Sequence, residues 1–304
     1  MGRWSDSVKI TKTVLRMIRE DKALLLLPLL SGLTLLAAAA IVFIPLIVAF
    51  LANPSGMLSF AHSSGGQALL VVVFLVLYFV LVFLSIFFFA ALVGAATLKL
   101  NGKNASVRDG LNIAWAKRGR LLVWALISAT VGLLIQAVAS RFKGIVGLII
   151  RVAGGATWAV ATYFVVPVIL YEENSAWRSL VRSAKLFAGT FGRWFFSNLL
   201  LGLIVAAVFL VGFVTLIIGV FALFTSVPLG AALILIAVAI WIFASVFSAA
   251  VAGVTRAVLY RYATTGLIDP GLAPSNLPSV GGFGFNTPPP PLTPPPPPLP
   301  SYSS

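Results

Sequence analysis

Glu172, Glu173 and Asp109 are the carboxylates that lie between the long apolar stretches of this chain, so acid–base chemistry would have to begin with them. Adjacent residues on a helix point about 100° apart, which makes Glu172-Glu173 a poor catalytic dyad. Surface pairing with Arg178 or Arg182 is the simpler expectation. The chain has one histidine, His62, and no cysteine, which excludes His clusters, disulfides, thiolate metal sites and cysteine nucleophiles. Gly281-Gly282-Phe283-Gly284 has no strand before it and no helix after it, so it lacks the setting of a nucleotide loop. A membrane hydrolase needs a nucleophile and base, or metal ligands, within mutual reach. No such set is legible. The expectation is a protein that is not an enzyme, with no catalytic residue, no metal and no cofactor.

Transporters betray themselves by ionisable groups inside their spans. Here the apolar stretches hold no Asp, Glu, Lys or His. Arg151 lies in the first turns of one stretch, where its guanidinium can snorkel to the interface. Gln136 and Asn198 are amides within or near a stretch, and an interhelical hydrogen bond is their commoner use. Gly94-Ala95-Ala96, Gly154-Gly155-Ala156 and Ala249-Ala250 permit close helix approach, which implies packing and not a pore.

The elements that must position these groups are set by composition. Of 304 residues, 60% are hydrophobic and 9% charged, and the mean hydropathy is +1.08. Soluble domains carry about a quarter charged residues. Crossing hydrocarbon takes about 20 apolar residues. Six stretches qualify, at 24–52, 68–98, 121–139, 146–170, 194–224 and 229–256. They are too long and too uniformly apolar for barrel strands, so the fold class is an all-α membrane protein with six transmembrane helices. Pro28, Pro45, Pro167 and Pro228 mark expected kinks or span ends. The first stretch runs to Ala52, well past a signal-peptide core of about 7–15 residues, and reads as an uncleaved anchor.

The charge is lopsided. The formal net charge is +14, and 18 of the 21 Lys and Arg residues fall on one side of the predicted topology. Arg141, Lys143 and Arg151 are left on the other. The positive-inside rule then puts both termini in the cytoplasm of a multi-pass cell-membrane protein. Because the charges sit between apolar stretches, membrane lipids with anionic headgroups are the expected partner, and nucleic acid is not.

Three basic segments precede pairs of spans. In the last, Trp177, Leu180, Val181, Ala184, Ala188 and Phe191 share a helical face beside Arg178, Arg182 and Lys185. In the first, Trp4, Val8, Thr11, Leu15 and Ile18 line up beside Lys12, Arg16 and Arg19; the middle one holds Val107, Leu111, Ala114, Trp115 and Leu122. Such cytoplasmic basic amphipathic helices are expected to lie among headgroups, with Arg16, Arg19, Arg178, Arg182 and Lys185 facing phosphate. Units 1–98, 99–170 and 171–256 then form a threefold helix-plus-hairpin repeat.

Residues 1–262 make up the membrane domain, and 263–304 a proline-rich cytoplasmic tail that includes PPPPLTPPPPPLP. Proline's fixed φ and missing N–H favour a solvated polyproline II rod in a disordered tail, which a proline-motif-binding protein could recognise.

Trp4, the basic run from Lys9 to Arg19 and the block EDKALLLLPLLSG at 20–32 resemble the start of an uncharacterised family of integral membrane proteins, domain-of-unknown-function family 6159. The resemblance implies six spans over 1–265 and supplies no mechanism. The helix-then-hairpin plan is also similar to the membrane domain attached to some glycerophosphodiester phosphodiesterases; this chain has no soluble phosphodiesterase domain, so that activity does not carry over. The leading functional expectation is a protein that organises or senses the cytoplasmic leaflet. The alternatives are a transporter or channel for a lipid-like or apolar solute, and an accessory subunit recruited through the tail.

Overall fold

Backbone amides in hydrocarbon have no water to bond, and coiling each apolar stretch into a helix satisfies them within the stretch. The computed structural model describes residues 2–265, with side chains described for 11–188 and 202–264, and every element among them is a helix. In chain order these are α1 (Gly2–Glu20), α2 (Ala23–Ala52), α3 (Pro54–His62), α4 (Ser64–Leu100), α5 (Val107–Ala116), α6 (Arg118–Ser140), α7 (Gly144–Ala161), α8 (Val165–Tyr171), α9 (Ala176–Ala222) and α10 (Val227–Thr265). Six segments are long and apolar enough to cross a membrane: α2, α4, α6, α7 with α8, residues 202–222 of α9, and α10.

Helix ends obey local chemistry. Asn53 caps α3 by accepting from the Gly56 N–H at 2.9 Å, and Pro54 opens that helix where no N–H is needed. This short helix stands where the sequence suggests only a connection between spans. After α4, Gly102 adopts φ +74°; its N–H donates to the Lys99 carbonyl and that of Lys103 to the Leu98 carbonyl, the pattern of a Schellman stop. Ser106 and Asp109 form a reciprocal capping box at the start of α5, with contacts of 2.6–3.2 Å.

The fourth span is broken at 162–164. Pro167 is the third residue of α8, among the four whose N–H has no partner within the helix, so the chain restarts there at no hydrogen-bond cost. The break frees the Phe164 N–H, which donates to Ser183 Oγ of α9 at 2.9 Å in a fully buried position. Pro28 and Pro45, by contrast, lie inside an unbroken α2. The third basic segment does not form a separate short helix: α9 runs 47 residues without interruption into its span.

At about 1.5 Å per residue, α4 (37 residues), α9 (47) and α10 (39) each exceed about 50 Å, against about 30 Å of hydrocarbon. The end of the bundle that carries most Lys and Arg is here called the basic end. The core is there: Ala91, Val93, Ala95 and Ala96 of α4, Val165, Val168 and Ile169 of α8, and Val254, Val258 and Leu259 of α10 are completely buried. α1 packs across α9 and α10, burying Val14, Met17 and Ile18. Towards the far end, large apolar side chains such as Ile41, Leu51, Val72, Ile145 and Phe221 are exposed, as contact with lipid requires.

Small residues set the closest approaches. A Cβ on Gly110 would lie 2.6 Å from the Ala91 carbonyl oxygen, so α5 rides directly on the backbone of α4. Gly212 of α9 leaves room for Trp241 of α10, whose indole N–H donates to the Phe209 carbonyl at 3.3 Å.

Two of these local bonds can be checked directly. Ser183→Ala strands the buried Phe164 N–H and should cost about 1–3 kcal/mol, measured as a lowered melting transition in detergent. The Ser106 hydroxyl and backbone N–H hold the Asp109 carboxyl below its ordinary value of 3.8. Its capping contribution is therefore complete above that value and is lost as pH falls through the lower folded value. Hydrogen-exchange protection of α5 should drop in that window, and Asp109→Asn should remove the pH dependence.

Candidate functional site

The polar side chains with the most connections meet where α8 ends. Glu172 is the C-cap of α8, and its side chain turns back over the bundle. Its Oε1 accepts from Tyr260 Oη of α10 at 3.1 Å and from Arg182 Nε of α9 at 3.2 Å. Its Oε2 accepts from Asn174 Nδ2 at 2.9 Å, and its backbone carbonyl accepts from Arg120 Nη1 of α6 at 3.4 Å. Tyr171 stacks on Tyr260 with ring centroids 6.2 Å apart. One residue thus ties four helices together. Of the acidic pair, Glu172 takes this role and Glu173 is exposed; Arg182 is the partner, as the sequence allowed.

One helical turn before Tyr260, Arg256 lies between two rings. Its guanidinium carbon is 4.5 Å from the Phe89 centroid of α4 and 4.8 Å from the Tyr163 centroid at the α7–α8 break. Cations over aromatic faces gain about 0.5–2 kcal/mol, more as water is removed. Its Nε is shielded and has no hydrogen-bond partner, and no carboxylate among the described residues forms an ion pair with it. The sixth apolar stretch read from the sequence ends at Arg256, whereas α10 stays helical through Thr265. A signal was available: from Val254 to Ala263 nothing breaks a helix, and the flanking residues remain apolar.

At the same end, α1 and the last turn of α4 line a half-open cavity of about 210 Å³, formed by Thr13, Arg16, Met17, Glu20, Lys99 and Leu100. Lys99 Nζ lies 4.0 Å from Asp21 Oδ2 at its edge. A shallower groove, lined by Lys12, Leu15, Arg16, Arg19 and Glu20, runs along the outer face of α1.

The residues expected to meet headgroups divide. Arg16, Arg19, Arg178, Arg182 and Lys185 are all exposed, and of these Arg182 also pairs with Glu172. In α9 the protein-facing side is Ala176, Ser179, Ser183, Leu186 and Phe187. The stripe read from the sequence points away from the bundle: Trp177 is 65% and Val181 44% exposed, and Ala184 and Ala188 are exposed with them. In α1 the stripe divides: Thr11 and Ile18 are covered by protein, together with Val14 and Met17, while Leu15 is half-buried and lines the outer groove. In α5, Gly110 and Ala114 face α4, while Trp115 is 60% exposed beneath Arg118, 5.1 Å from its ring centroid. Gln136 is exposed on α6, so it makes no interhelical hydrogen bond, and Arg151 is exposed two turns into α7. Asn198, Trp4, Val8 and Phe191 lie outside the described side chains, and the tail beyond 265 lies outside the described residues.

Six crossing helices and a polar cluster confined to one end define a multi-pass α-helical membrane protein. The chain belongs to a family of unknown function, DUF6159, which it matches over residues 67–269, two thirds of its length. The match begins in the first turn of α4 and omits the block at 20–32 that carries the resemblance in the sequence. No curated protein and no solved structure matches the chain.

The Glu172 cluster yields a direct expectation. Tyr260→Phe removes a hydrogen bond to a carboxylate and should cost about 1.5–3 kcal/mol if that bond counts fully. In a double-mutant cycle with Arg182→Ala, measured by melting, the two losses should be non-additive, because both side chains meet the same oxygen.

Proposed function

We propose that this is a non-enzymatic protein of the cell membrane that organises or senses the cytoplasmic leaflet through its basic end, with both termini on that side. One observation carries the reading. The stripe Trp177, Val181, Ala184 and Ala188 faces outward, bordered by the exposed cations Arg178 and Lys185, on a helix continuous with a membrane span. An apolar stripe edged with cations suits the boundary between acyl chains and anionic headgroups. Each cation near such a surface contributes about 1 kcal/mol. Trp115, exposed on α5 beside Arg118, supports a second contact of the same kind, and the exposed Arg16 and Arg19 a third. The three basic segments each precede a hairpin of spans, consistent with a helix-plus-hairpin repeat. The proline-rich tail, 263–304, is assigned to the cytoplasm as a disordered segment open to a proline-motif-binding partner.

The non-enzymatic reading draws on Glu172, the best-placed acid, whose two oxygens are taken by Tyr260, Arg182 and Asn174 in a tie between helices. The transporter alternative would use Gln136 or Asn198 along a path through the bundle; Gln136 is exposed on α6, which lends it no support.

Native mass spectrometry of the full chain extracted with its lipids tests this. The wild type should retain an anionic lipid, and Arg178→Ala/Lys185→Ala should lose it while Arg182 still holds Glu172. Equal retention by both proteins would reduce these charges to topology signals.

A further inference from the structure

The cavity between α1 and the end of α4 combines features that the rest of the basic end does not. Arg16 and Lys99 come to it from different helices, 83 positions apart in sequence. Glu20 is the one acid in its wall, and Asp21 stands 4.0 Å from Lys99 at the rim. Lys12 and Arg19 line the adjoining groove, which shares Arg16 and Glu20 with the cavity, so cations outnumber acids across the two together. The remaining wall is apolar, from Met17 and Leu100.

Thr13 is the second, independent observation. It lines the cavity, is 2% exposed, and its hydroxyl has no hydrogen-bond partner. Helical Ser and Thr ordinarily bond back to a carbonyl four residues earlier. In this chain Thr34, Ser85, Thr97, Thr130 and Thr215 all do so, at 2.7–2.8 Å. Thr13 does not, and a buried hydroxyl without a partner costs about 1–3 kcal/mol. A donor kept dry and unused beside an arginine and a lysine is equipped for an acceptor that comes from outside the chain.

We propose that this cavity binds a phosphate group. Phosphate offers several strong acceptor oxygens: Arg16 matches two of them in its planar fork, Lys99 supplies a point charge, and the Thr13 hydroxyl is a short-range donor. A volume of about 210 Å³ accommodates a phosphate with part of a glycerol, and the Met17–Leu100 side accepts the first apolar carbons attached to it. Two sources carry this chemistry: the headgroup of a phosphate-bearing lipid, and a soluble phosphate compound. The lipid source rests on the leaflet reading above, and the soluble source does not.

The test uses the full chain in a neutral detergent, with native mass spectrometry and thermal melting as readouts and phosphatidic acid, phosphatidylcholine and inorganic phosphate as probes. Phosphatidic acid should bind in preference to phosphatidylcholine. Arg16→Gln and Lys99→Gln should each weaken it about tenfold, as loss of about 1.4 kcal/mol requires. Thr13→Val should weaken binding several-fold while leaving the melting temperature of the free protein unchanged or raised, since it removes an unpartnered buried hydroxyl. Displacement of the bound lipid by millimolar inorganic phosphate, with phosphate itself raising the melting temperature, identifies the soluble source; no displacement identifies the lipid. Unaltered phosphatidic acid binding by Arg16→Gln/Lys99→Gln overturns the site. If that double variant binds normally while Arg178→Ala/Lys185→Ala does not, the cavity inference falls and the leaflet reading stands; the reverse result separates them the other way.

Discussion

A bilayer offers the backbone no hydrogen-bond partner and side-chain charges no solvent, and this double prohibition shapes the molecule. It makes every crossing element a helix and drives polar chemistry to the ends. It also explains an uneven packing. Where the helices face acyl chains there is little to gain from hiding leucine from lipid, so Ile41, Val72 and Phe221 stay outward. Where water is the alternative, burying apolar surface is rewarded, at about 25 cal/mol per Å², and the basic end is where the polar side chains gather. The dense core of alanine, valine and aromatic residues lies there.

Polar side chains in that region act as fasteners between helices. Ser183 takes the amide freed at the α7–α8 break, Glu172 gathers Tyr260, Arg182 and Asn174, and Arg261 Nη1 donates to the Leu100 carbonyl at the end of α4. Arg256 obeys a different logic, since its charge is accommodated by the faces of Phe89 and Tyr163 and by no acid among the described residues. A guanidinium is flat and weakly hydrated, so it tolerates stacking where a lysine ammonium would lose most of its solvation.

The spans are legible in the sequence because apolar length is a strong signal, and most of their ends agree with the helices to within a few residues. The features that escape a sequence reading depend on tertiary contact. The stripe of α9 is visible as one face, but which side the bundle covers is decided by Ser179 and Ser183, short polar residues that look solvent-facing until their partners are known. Arg256 reads only as the end of a span; the aromatic pair that shelters it lies 93 and 167 positions earlier. Arg182 reads both as a surface partner for Glu172-Glu173 and as a headgroup-facing cation, and the fold selects the first. The cavity at Thr13 leaves no trace in the sequence, since Lys99 reaches it from another helix.

The continuity of α9 has a mechanical corollary. Between Ala176 and Ala222 there is no proline and no break, so the tryptophan-bearing stripe and the membrane-crossing segment share one axis. A rod of fixed length converts tilt into depth: each degree by which the crossing part leans lowers the opposite tip along the membrane normal. Helices meet thinner bilayers by leaning further. Under the proposed leaflet role, the height of Trp177 above the hydrocarbon follows the thickness of the bilayer that the other end of the same helix crosses.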